Sequence, residues 1–301
     1  STNARLLLAR FDFYLTKAQS ISVVKKENRR YLGMEPVLVL KDSLQRDIYY
    51  YQETFYDDDL YGKAIKTIDK AVNLYPDRID FRFVKANALI AYEKESPDMA
   101  MDYLKSLVAE ASRRSADWIY GDEKVGKDFV EDAMQEYCYS FYSIGSPASM
   151  KAFRALSEKM LALYPDNVEF MNNIGSYHMI AEKDYKAALK VYSKVLKKKP
   201  HDYIAIKNSS LAARQMGNVK LEKKYLEMLG STISDCVIAT TQTYVETLKK
   251  EGKFDVEAQK EAFNQTYNAV MNILSEEAKE YLTVAVGDLN LFITQKIEAE
   301  V

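Results

Sequence analysis

Small and apolar residues recur along this chain at a fixed spacing, and three of the five copies end in a proline. Ala64, Ile68 and Ala71 stand four and three residues apart, and Pro76 follows five residues later. The first positions of the five copies of this pattern are Ala64, Ala100, Phe153, Ala188 and Leu221, which stand 36, 53, 35 and 33 residues apart. A period near 34 residues predicts an array of structural repeats.

Each repeat has the pattern of two helices joined by a short turn. In one of the clearest copies Met171, Ile174 and His178 recur at helical spacing, Asp184 can cap a second helix, and Pro200 ends it, because proline cannot continue the hydrogen-bond ladder. The predicted pairs are 42–56 with 60–74, 79–94 with 98–112, 128–143 with 148–163, 168–181 with 185–198, and 202–216 with 218–229.

The long interval, from 100 to 153, carries about 18 extra residues, which fit the stretch 111–128. Extra residues inside a helix would rotate its apolar face by about 100° each, so an insertion is tolerated only where helices connect. We therefore predict a loop. Its Trp118 is too apolar to stay in water, and we expect it to fold back over the next first helix, near Tyr137 and Phe141.

Composition agrees with an all-α fold. The 301 residues include only 10 Gly and 6 Pro, with 48% apolar and 29% charged residues, which disfavours disorder and turn-rich β-sandwiches. Two distant cysteines predict no disulfide framework, and the absence of a run of 18 apolar residues predicts no integral membrane segment. The predicted parts are an N-terminal helical cap and loop (1–41), a solenoid of about five helix pairs (42–229) and an acidic helical module (232–301).

Residues 42–229 resemble the tetratricopeptide repeat (TPR) family. The resemblance is carried by Gly175 in a first helix, by Ala188, Tyr192 and Pro200 in the following second helix, and upstream by Ala64, Ala71 and Pro76. It implies a right-handed superhelical solenoid whose concave face, lined by first helices, binds a protein or peptide. Residues 74–83 and the Trp118 insertion also resemble exported bacterial members without assigned activity, so we expect an exported or periplasmic protein whose leader has been removed.

The pattern changes after residue 231. Residues 231–301 hold 6 Lys and Arg against 12 Asp and Glu, a net charge of −6, so we predict a boundary near Gly230. We expect a helix from Ser234 to Glu251, another capped by Asp255, and two short ones starting at Ser275 and Asp288, as a small bundle or an extended arm. The segments 242–245, 249–254, 259–263, 287–288 and 297–301 resemble the soluble C-terminal part of a bacteriophage holin family without its membrane helix. The sequence leaves open whether residues 232–301 are a natural domain or were joined to the repeats by a fusion, engineered or natural.

Catalytic chemistry has little support in the sequence. No phosphate-binding loop, His-Glu-x-x-His or Gly-x-Ser-x-Gly motif is present, and His178 and His201 are the only histidines. We interpret His178 as a packed side chain and His201 as part of a turn, and we interpret Asp57, Asp58 and Asp59 as helix capping rather than a metal site. Cys138 and Cys236 have apolar neighbours, which indicates buried thiols. We expect neither a cofactor nor a metal.

Two clusters allow alternative interpretations. Tyr49, Tyr50, Tyr51, Phe55 and Tyr56 exceed what one apolar helix stripe can use, so they indicate either tight packing or a tyrosine-lined binding surface, with Tyr50, Tyr51 and Trp118 as the surface candidates. The cluster Lys25, Lys26, Arg29 and Arg30 indicates either a solvated loop or an anion or membrane contact.

Three functions follow from these patterns. The first is a non-enzymatic scaffold that binds a protein or peptide, with concave-face residues Arg82, Lys85, Asn172, Asn173, Ser176, Tyr203 and Lys207. The second is a phage- or cell-envelope-associated assembly protein whose C-terminal module is the working part. The third, an enzyme, would need Asp122, Glu123 and Lys124 to converge in a pocket. A net charge of +4 over residues 1–230 is too weak for nucleic acid binding, and the sequence leaves the oligomeric state open.

Overall fold

The structure, a computed structural model, describes residues 3–113, 118–250, 252, 255–274, 279, 282–283 and 287–300. The chain forms two compact units, Ser1–Tyr177 and His178–Val301, here called the first and the second unit. Each is described by itself.

Helices dominate the described residues, and strands occur only in the first unit. The helices are α1 (Ala4–Ala18), α2 (Asp58–Leu74), α3 (Ile79–Glu93), α4 (Asp98–Ala111), α5 (Lys127–Ile144), α6 (Pro147–Leu163), α7 (Val168–Ile180), α8 (Tyr185–Lys198), α9 (Tyr203–Gln215), α10 (Val219–Lys250), α11 (Val256–Ile273) and α12 (Leu289–Glu300). The strands are β1 (Gln19–Lys26), β2 (Leu38–Lys41), β3 (Asp47–Tyr56), β4 (Trp118–Tyr120) and β5 (Glu123–Val125).

The predicted fold class, an array of helix hairpins, is confirmed. Helices α2 to α9 begin and end within two residues of the predicted bounds. The positions that set the period are the ones that pack: Ala64, Ile68 and Ala71 are fully buried. Within the first unit, α1 packs on α2, α3 on α4 and α5 on α6. The repeat spacing therefore corresponds to the buried stripe of the second helix in each pair.

The helix predicted at 42–56 is wrong, because residues 47–56 form the strand β3. Its aromatic and β-branched residues favour a strand, in which alternate side chains point to opposite faces. The helix that pairs with α2 is instead α1, and the sheet is inserted between these two helices. The backbone N–H of Asp57 donates to the Ala18 carbonyl at 2.8 Å. The two ends of the inserted segment therefore lie side by side, at the end of α1 and the start of α2. The paired strands β1 and β3 directly adjoin these two helices.

This three-stranded sheet has the order β1-β3-β2 and is antiparallel throughout. Its inward face is tied to the helix pairs by Glu53, which accepts hydrogen bonds from Lys94 and from the Tyr31 hydroxyl. Gly33, at φ +71°, lies against the carbonyl of Ser143 at the end of α5, where a Cβ would clash. The sheet is therefore docked on the ends of the helix pairs.

The insertion at 111–128 contains the short hairpin β4–β5, and residues 114–117 lie outside the described residues. Trp118 is 2% exposed and belongs to the core cluster that includes Tyr137 and Phe141, so the predicted burial by fold-back is confirmed. The helix that β4 packs on is α3, which precedes the insertion, rather than the predicted next first helix, α5. The N–H of Ile119 donates to the Asp77 carbonyl at 2.9 Å, which attaches the hairpin to the turn before α3.

The burial of Trp118 predicts its fluorescence. As the only tryptophan, it should emit at a shorter wavelength than free indole and resist quenching by iodide, because solvent does not reach the ring. The measurement is a Stern–Volmer titration, with the same protein in 8 M urea as the exposed reference. Quenching equal to that reference would contradict the burial.

In the second unit the helix predicted to end at residue 229 continues to Lys250, so α10 passes through Gly230 without interruption. Leu229 and Ile233 on α10 share one apolar cluster with Ile206 of α9, Val270 of α11 and Ile293 of α12. The predicted caps Asp255 and Asp288 accept hydrogen bonds from the N–H groups of Ala258 and Leu291. The predicted start at Ser275 and the side chain of Cys236 lie outside the described residues. That residues 232–301 form a separate module stays a prediction.

Candidate interaction surface

Arg82 and Lys85 of α3, which were predicted to lie on the binding surface, form ion pairs with other elements of the first unit. Arg82 is buried and donates to the carboxylate of Glu110 at 2.8 Å and to the Pro76 carbonyl at 3.2 Å, while its guanidinium lies 5.3 Å from the Trp118 ring centroid. Lys85 is paired with Asp69 at 2.6 Å. Both charges are therefore neutralised by neighbouring elements, and these residues connect α3 to α2, α4 and β4.

Tyr103 of α4 completes this cluster. The Lys85 ammonium lies 4.5 Å from the centroid of its ring. Burial raises the pKa of the Tyr103 hydroxyl to about 12, because the phenolate would lose its hydration. The phenol therefore stays neutral at physiological pH.

Asn173 belongs to a buried polar network in the first unit. Its side-chain amide exchanges hydrogen bonds with Gln135 of α5 at 2.9 and 3.3 Å and donates to Ser157 of α6 at 3.2 Å. The Cys138 thiol lies 3.4 Å from the same Ser157 hydroxyl, and burial raises its pKa to about 12. Cys138 is thus a buried thiol, as predicted, and its raised pKa disfavours the thiolate form.

The remaining concave-face residues differ in accessibility. Asn172 is buried, whereas Ser176 is half-buried on α7. Tyr203 and Lys207, which belong to α9 of the second unit, are also half-buried. A side chain with less than a tenth of its surface exposed can make little contact with a partner, and this applies to Arg82, Asn172 and Asn173. The predicted contact residues Ser176, Tyr203 and Lys207 remain accessible to a partner.

Two of the three aromatic surface candidates are core residues. Tyr51 is fully buried under the sheet, where its ring lies 5.2 Å from that of Tyr31 and its hydroxyl donates to the carbonyls of Asn28 and Arg29. Trp118 is buried as described above. The strand alternation is the cause: Tyr51 points inward, and Tyr50, the third candidate, is half-buried on the outward face.

The structure instead assembles an aromatic patch from Phe83 of α3, Tyr120 of β4, and Phe129 and Tyr137 of α5. The Phe83 ring centroid lies 5.9 to 6.4 Å from the other three, and Tyr120 and Phe129 are 5.2 Å apart. Tyr137 is buried, Phe83 and Phe129 are half-buried, and Tyr120 is 49% exposed. Apolar rings that are rigidly packed on one side and open on the other can anchor a ligand.

The sequence reasoning missed this patch as a unit. Tyr120 lies in the insertion, two residues after Trp118, and Phe83 and Phe129 stand near the starts of first helices. These three residues come together because the inserted hairpin brings Tyr120 against both Phe83 of α3 and Phe129 of α5. A signal that could have pointed to it is the occurrence of aromatic residues near the start of two successive first helices on either side of an insertion.

The residues considered for catalysis are engaged structurally or exposed. The Nδ1 atom of His178 lies 2.6 Å from Oε2 of Glu182. The Nδ1 atom of the exposed His201 lies 3.3 Å from Oδ2 of Asp235. Asp57 caps α2 by accepting from the N–H of Leu60 at 2.9 Å, as predicted. Asp122, Glu123 and Lys124 are all exposed, and of the three only Asp122 lines the shallow pocket between the hairpin and residues 74–78. The enzyme hypothesis in the form that required all three to converge is therefore contradicted.

Neither a metal cluster nor a membrane crossing is found in the part of the chain that the structure describes. No group of three or more His, Cys, Asp or Glu residues there could hold a metal ion. Of the described helices, none combines the length and apolar character that a membrane crossing requires.

Comparisons with known proteins extend the TPR resemblance. A TPR repeat-containing protein of Methanocaldococcus jannaschii is 26% identical to this chain over 205 residues, which cover 57% of this chain and 35% of that protein. The chain thus matches about a third of the length of that relative. The crystal structure of the MamA protein covers 65% of this chain and 87% of its own, at 15% identity and a TM-score of 0.34.

No protein-family model matches the chain. The predicted resemblance of residues 232–301 to a holin family receives no support from these comparisons. The similarity to a TPR repeat-containing protein agrees with the helix-hairpin fold and with the 34-residue period.

Proposed function

We propose that this protein is a non-enzymatic scaffold that binds a protein or peptide partner on the face formed by the first helices of its pairs. The helix-hairpin array and the similarity to a TPR repeat-containing protein support this function, since stacked helix pairs present an extended face suited to peptides. The observation that carries it is the half-exposed aromatic patch on α3, β4 and α5.

Charge near the patch favours an apolar ligand over an acidic one. Arg82 and Lys85 are already paired with Glu110 and Asp69, so an acidic side chain of a partner would have to displace an existing ion pair. Binding should therefore rest on aliphatic or aromatic side chains placed against Phe83, Tyr120 and Phe129, and it should change little with salt concentration. The predicted contact at Ser176 would lie on the next first helix, α7.

A peptide selection tests this proposal without a known partner. A random peptide library is selected on the immobilised full chain, and the affinities of the enriched peptides are measured by titration against wild type and Tyr120→Ala. Removing an exposed aromatic anchor should weaken binding about 5- to 30-fold, which corresponds to roughly 1–2 kcal/mol. Bound peptide should also shift the emission of Trp118, two residues from Tyr120.

The matched control is Tyr139→Ala, which removes a tyrosine of α5 that is 65% exposed and outside the patch. It should leave every affinity unchanged. Peptides that bind Tyr120→Ala and wild type equally well would remove the patch from the binding face, and peptides sensitive only to Tyr139→Ala would place the face elsewhere.

A further inference from the structure

A second surface lies on the three-stranded sheet, away from the aromatic patch. Strand β1 is at the edge of this sheet and pairs only with β3 among the described residues. Residues 19–23 are exposed without interruption. The outward backbone N–H and C=O groups of β1 therefore have no strand beside them in the described part of the chain, and such an edge is a template for another strand.

The outward face of the sheet is apolar next to this edge. Ile21 and Val23 of β1 are each 63% exposed, and Leu38 and Leu40 of β2 are 49% and 45% exposed. Residues opposite each other in an antiparallel pair point to the same side, and Tyr50 of β3 is opposite Leu38. On β3 the residues opposite Ile21 and Val23 are Thr54 and Gln52, so the apolar strip runs diagonally, from Val23 across Tyr50 to Leu38. Exposed apolar edges are usually blunted by charges or proline.

Positive charge is concentrated at one end of this strip. Lys25, Arg29 and Arg30 are exposed, and none of them forms an ion pair within the described residues. The carboxylates at the β2–β3 turn are engaged, since Asp42 holds Arg46 at 2.8 Å and Asp47 holds Lys41 at 2.7 Å. Lys25 lies within the electrostatic reach of Asp42 and Glu27 is close in sequence, so the positive charge at the end of β1 is carried mainly by Arg29 and Arg30.

We propose that β1 accepts an extended segment of a protein partner as an added antiparallel strand. The segment has alternating apolar residues, which lie beside Ile21 and Val23, and acidic residues at its N-terminal end, which lie beside Lys25, Arg29 and Arg30. Backbone hydrogen bonds supply affinity, and the apolar strip and the charges supply register. This surface is independent of the first helices.

Two other occupants fit the observations less well. A lipid surface would match the cations and the apolar strip, but it cannot satisfy the backbone groups of β1, each of which costs several kcal/mol in hydrocarbon. A second copy pairing through its own β1 would place Gln19, Ser20 and Ile21 near the basic end, and these residues carry no negative charge.

The test uses the full chain and a blocked peptide of the sequence Asp-Glu-Thr-Val-Thr-Val-Thr-Ser. Hydrogen exchange followed by mass spectrometry should show slower exchange in residues 19–26 when the peptide is bound, and affinity should fall as salt rises. A peptide of the same composition with its alternation scrambled should bind at least about tenfold more weakly.

Variants of single residues test whether the peptide binds on the sheet. Val23→Asp should weaken binding about tenfold or more, because a charge then lies on the apolar strip. Leu6→Asp, at a residue 59% exposed on α1, should leave binding unchanged. Circular dichroism checks that both variants fold. Tyr120→Ala should also leave this peptide's affinity unchanged, so failure here is distinguishable from failure of the proposed scaffold function.

Three results would overturn the proposal. The first is peptide binding without slower exchange in residues 19–26, or no binding of the peptide. The second is concentration-dependent dimerisation that protects residues 19–26 without peptide, which would assign the edge to a second copy. The third is binding to phosphatidylserine-containing vesicles that Val23→Asp abolishes, with no peptide binding, which would assign the strip to a membrane surface.

Discussion

Trp118→Ala is expected to lower the free energy of unfolding of the first unit by about 3–5 kcal/mol, the range for removing a buried large aromatic side chain. Trp118 is 2% exposed within the main core cluster, and its ring also lies 5.3 Å from the buried guanidinium of Arg82. Its removal would leave a cavity and detach β4 from α3. The measurement is urea denaturation followed by far-UV circular dichroism, because the variant has no tryptophan to report fluorescence.

The control for this effect is again Tyr139→Ala, where an exposed aromatic residue is truncated on α5. Its free energy of unfolding should stay within about 0.5 kcal/mol of wild type. Equal stability of Trp118→Ala and wild type would show that the inserted hairpin does not pack on the helix pairs in solution.

Glu53→Gln is expected to lower the free energy of unfolding by about 2–3 kcal/mol at neutral pH, because it leaves Lys94 next to a neutral group in a largely buried site. Glu53 is 8% exposed and accepts hydrogen bonds from Lys94 and from the Tyr31 hydroxyl. Asp47→Asn is the matched control: it breaks the exposed ion pair with Lys41 and should cost less than about 1 kcal/mol.

The pH dependence of this effect has a definite sign. Burial opposes ionisation of Glu53, but the hydrogen bonds from Lys94 and Tyr31 outweigh it and lower the pKa of the carboxyl below its usual 4.5. A carboxyl with a lowered folded-state pKa stabilises the protein above its unfolded pKa and loses this contribution as the pH falls through the folded value. The stability gap between wild type and Glu53→Gln should therefore be full at pH 6–7 and shrink below about pH 4.5. A gap that stays constant down to pH 3 would contradict the assignment.

The helix pairs were predictable because their signals are local. The spacing of Ala64, Ile68 and Ala71 reports the buried stripe of one helix, and Asp57 and Asp184 report where a helix begins. The buried stripe of a helix and its N-terminal cap both depend on residues that lie within one or two helical turns of each other. The insertion was located for the same reason, because it breaks a period that its neighbours keep.

The N-terminal sheet was missed because its signal conflicts with the period. A second helix at 60–74 implied a first helix directly before it, and the run of tyrosines at 49–51 was assigned to that helix. The first helix is actually α1, about 40 residues earlier, and the connection between the two folds as a sheet. No local pattern indicates that two helices separated by that distance form one hairpin.

In the candidate site, too, the sequence predicted on which element a residue lies but not which side chains it contacts. The sequence placed Arg82, Lys85 and Asn173 on first helices, which is where they lie. It could not show that Glu110, Asp69 and Gln135, each distant in the chain, would neutralise or bind them. The aromatic patch likewise joins residues from three elements.

The sequence by itself determined the helix hairpins from α3 to α8, their caps and the burial of Trp118, because these follow from spacing, capping chemistry and the cost of exposing an indole ring. Only the tertiary structure decided which helix pairs with α2, that a sheet with an open edge lies between them, and which polar and aromatic side chains meet. Those outcomes depend on contacts between residues tens of positions apart, and a periodicity of 34 residues carries no information about them.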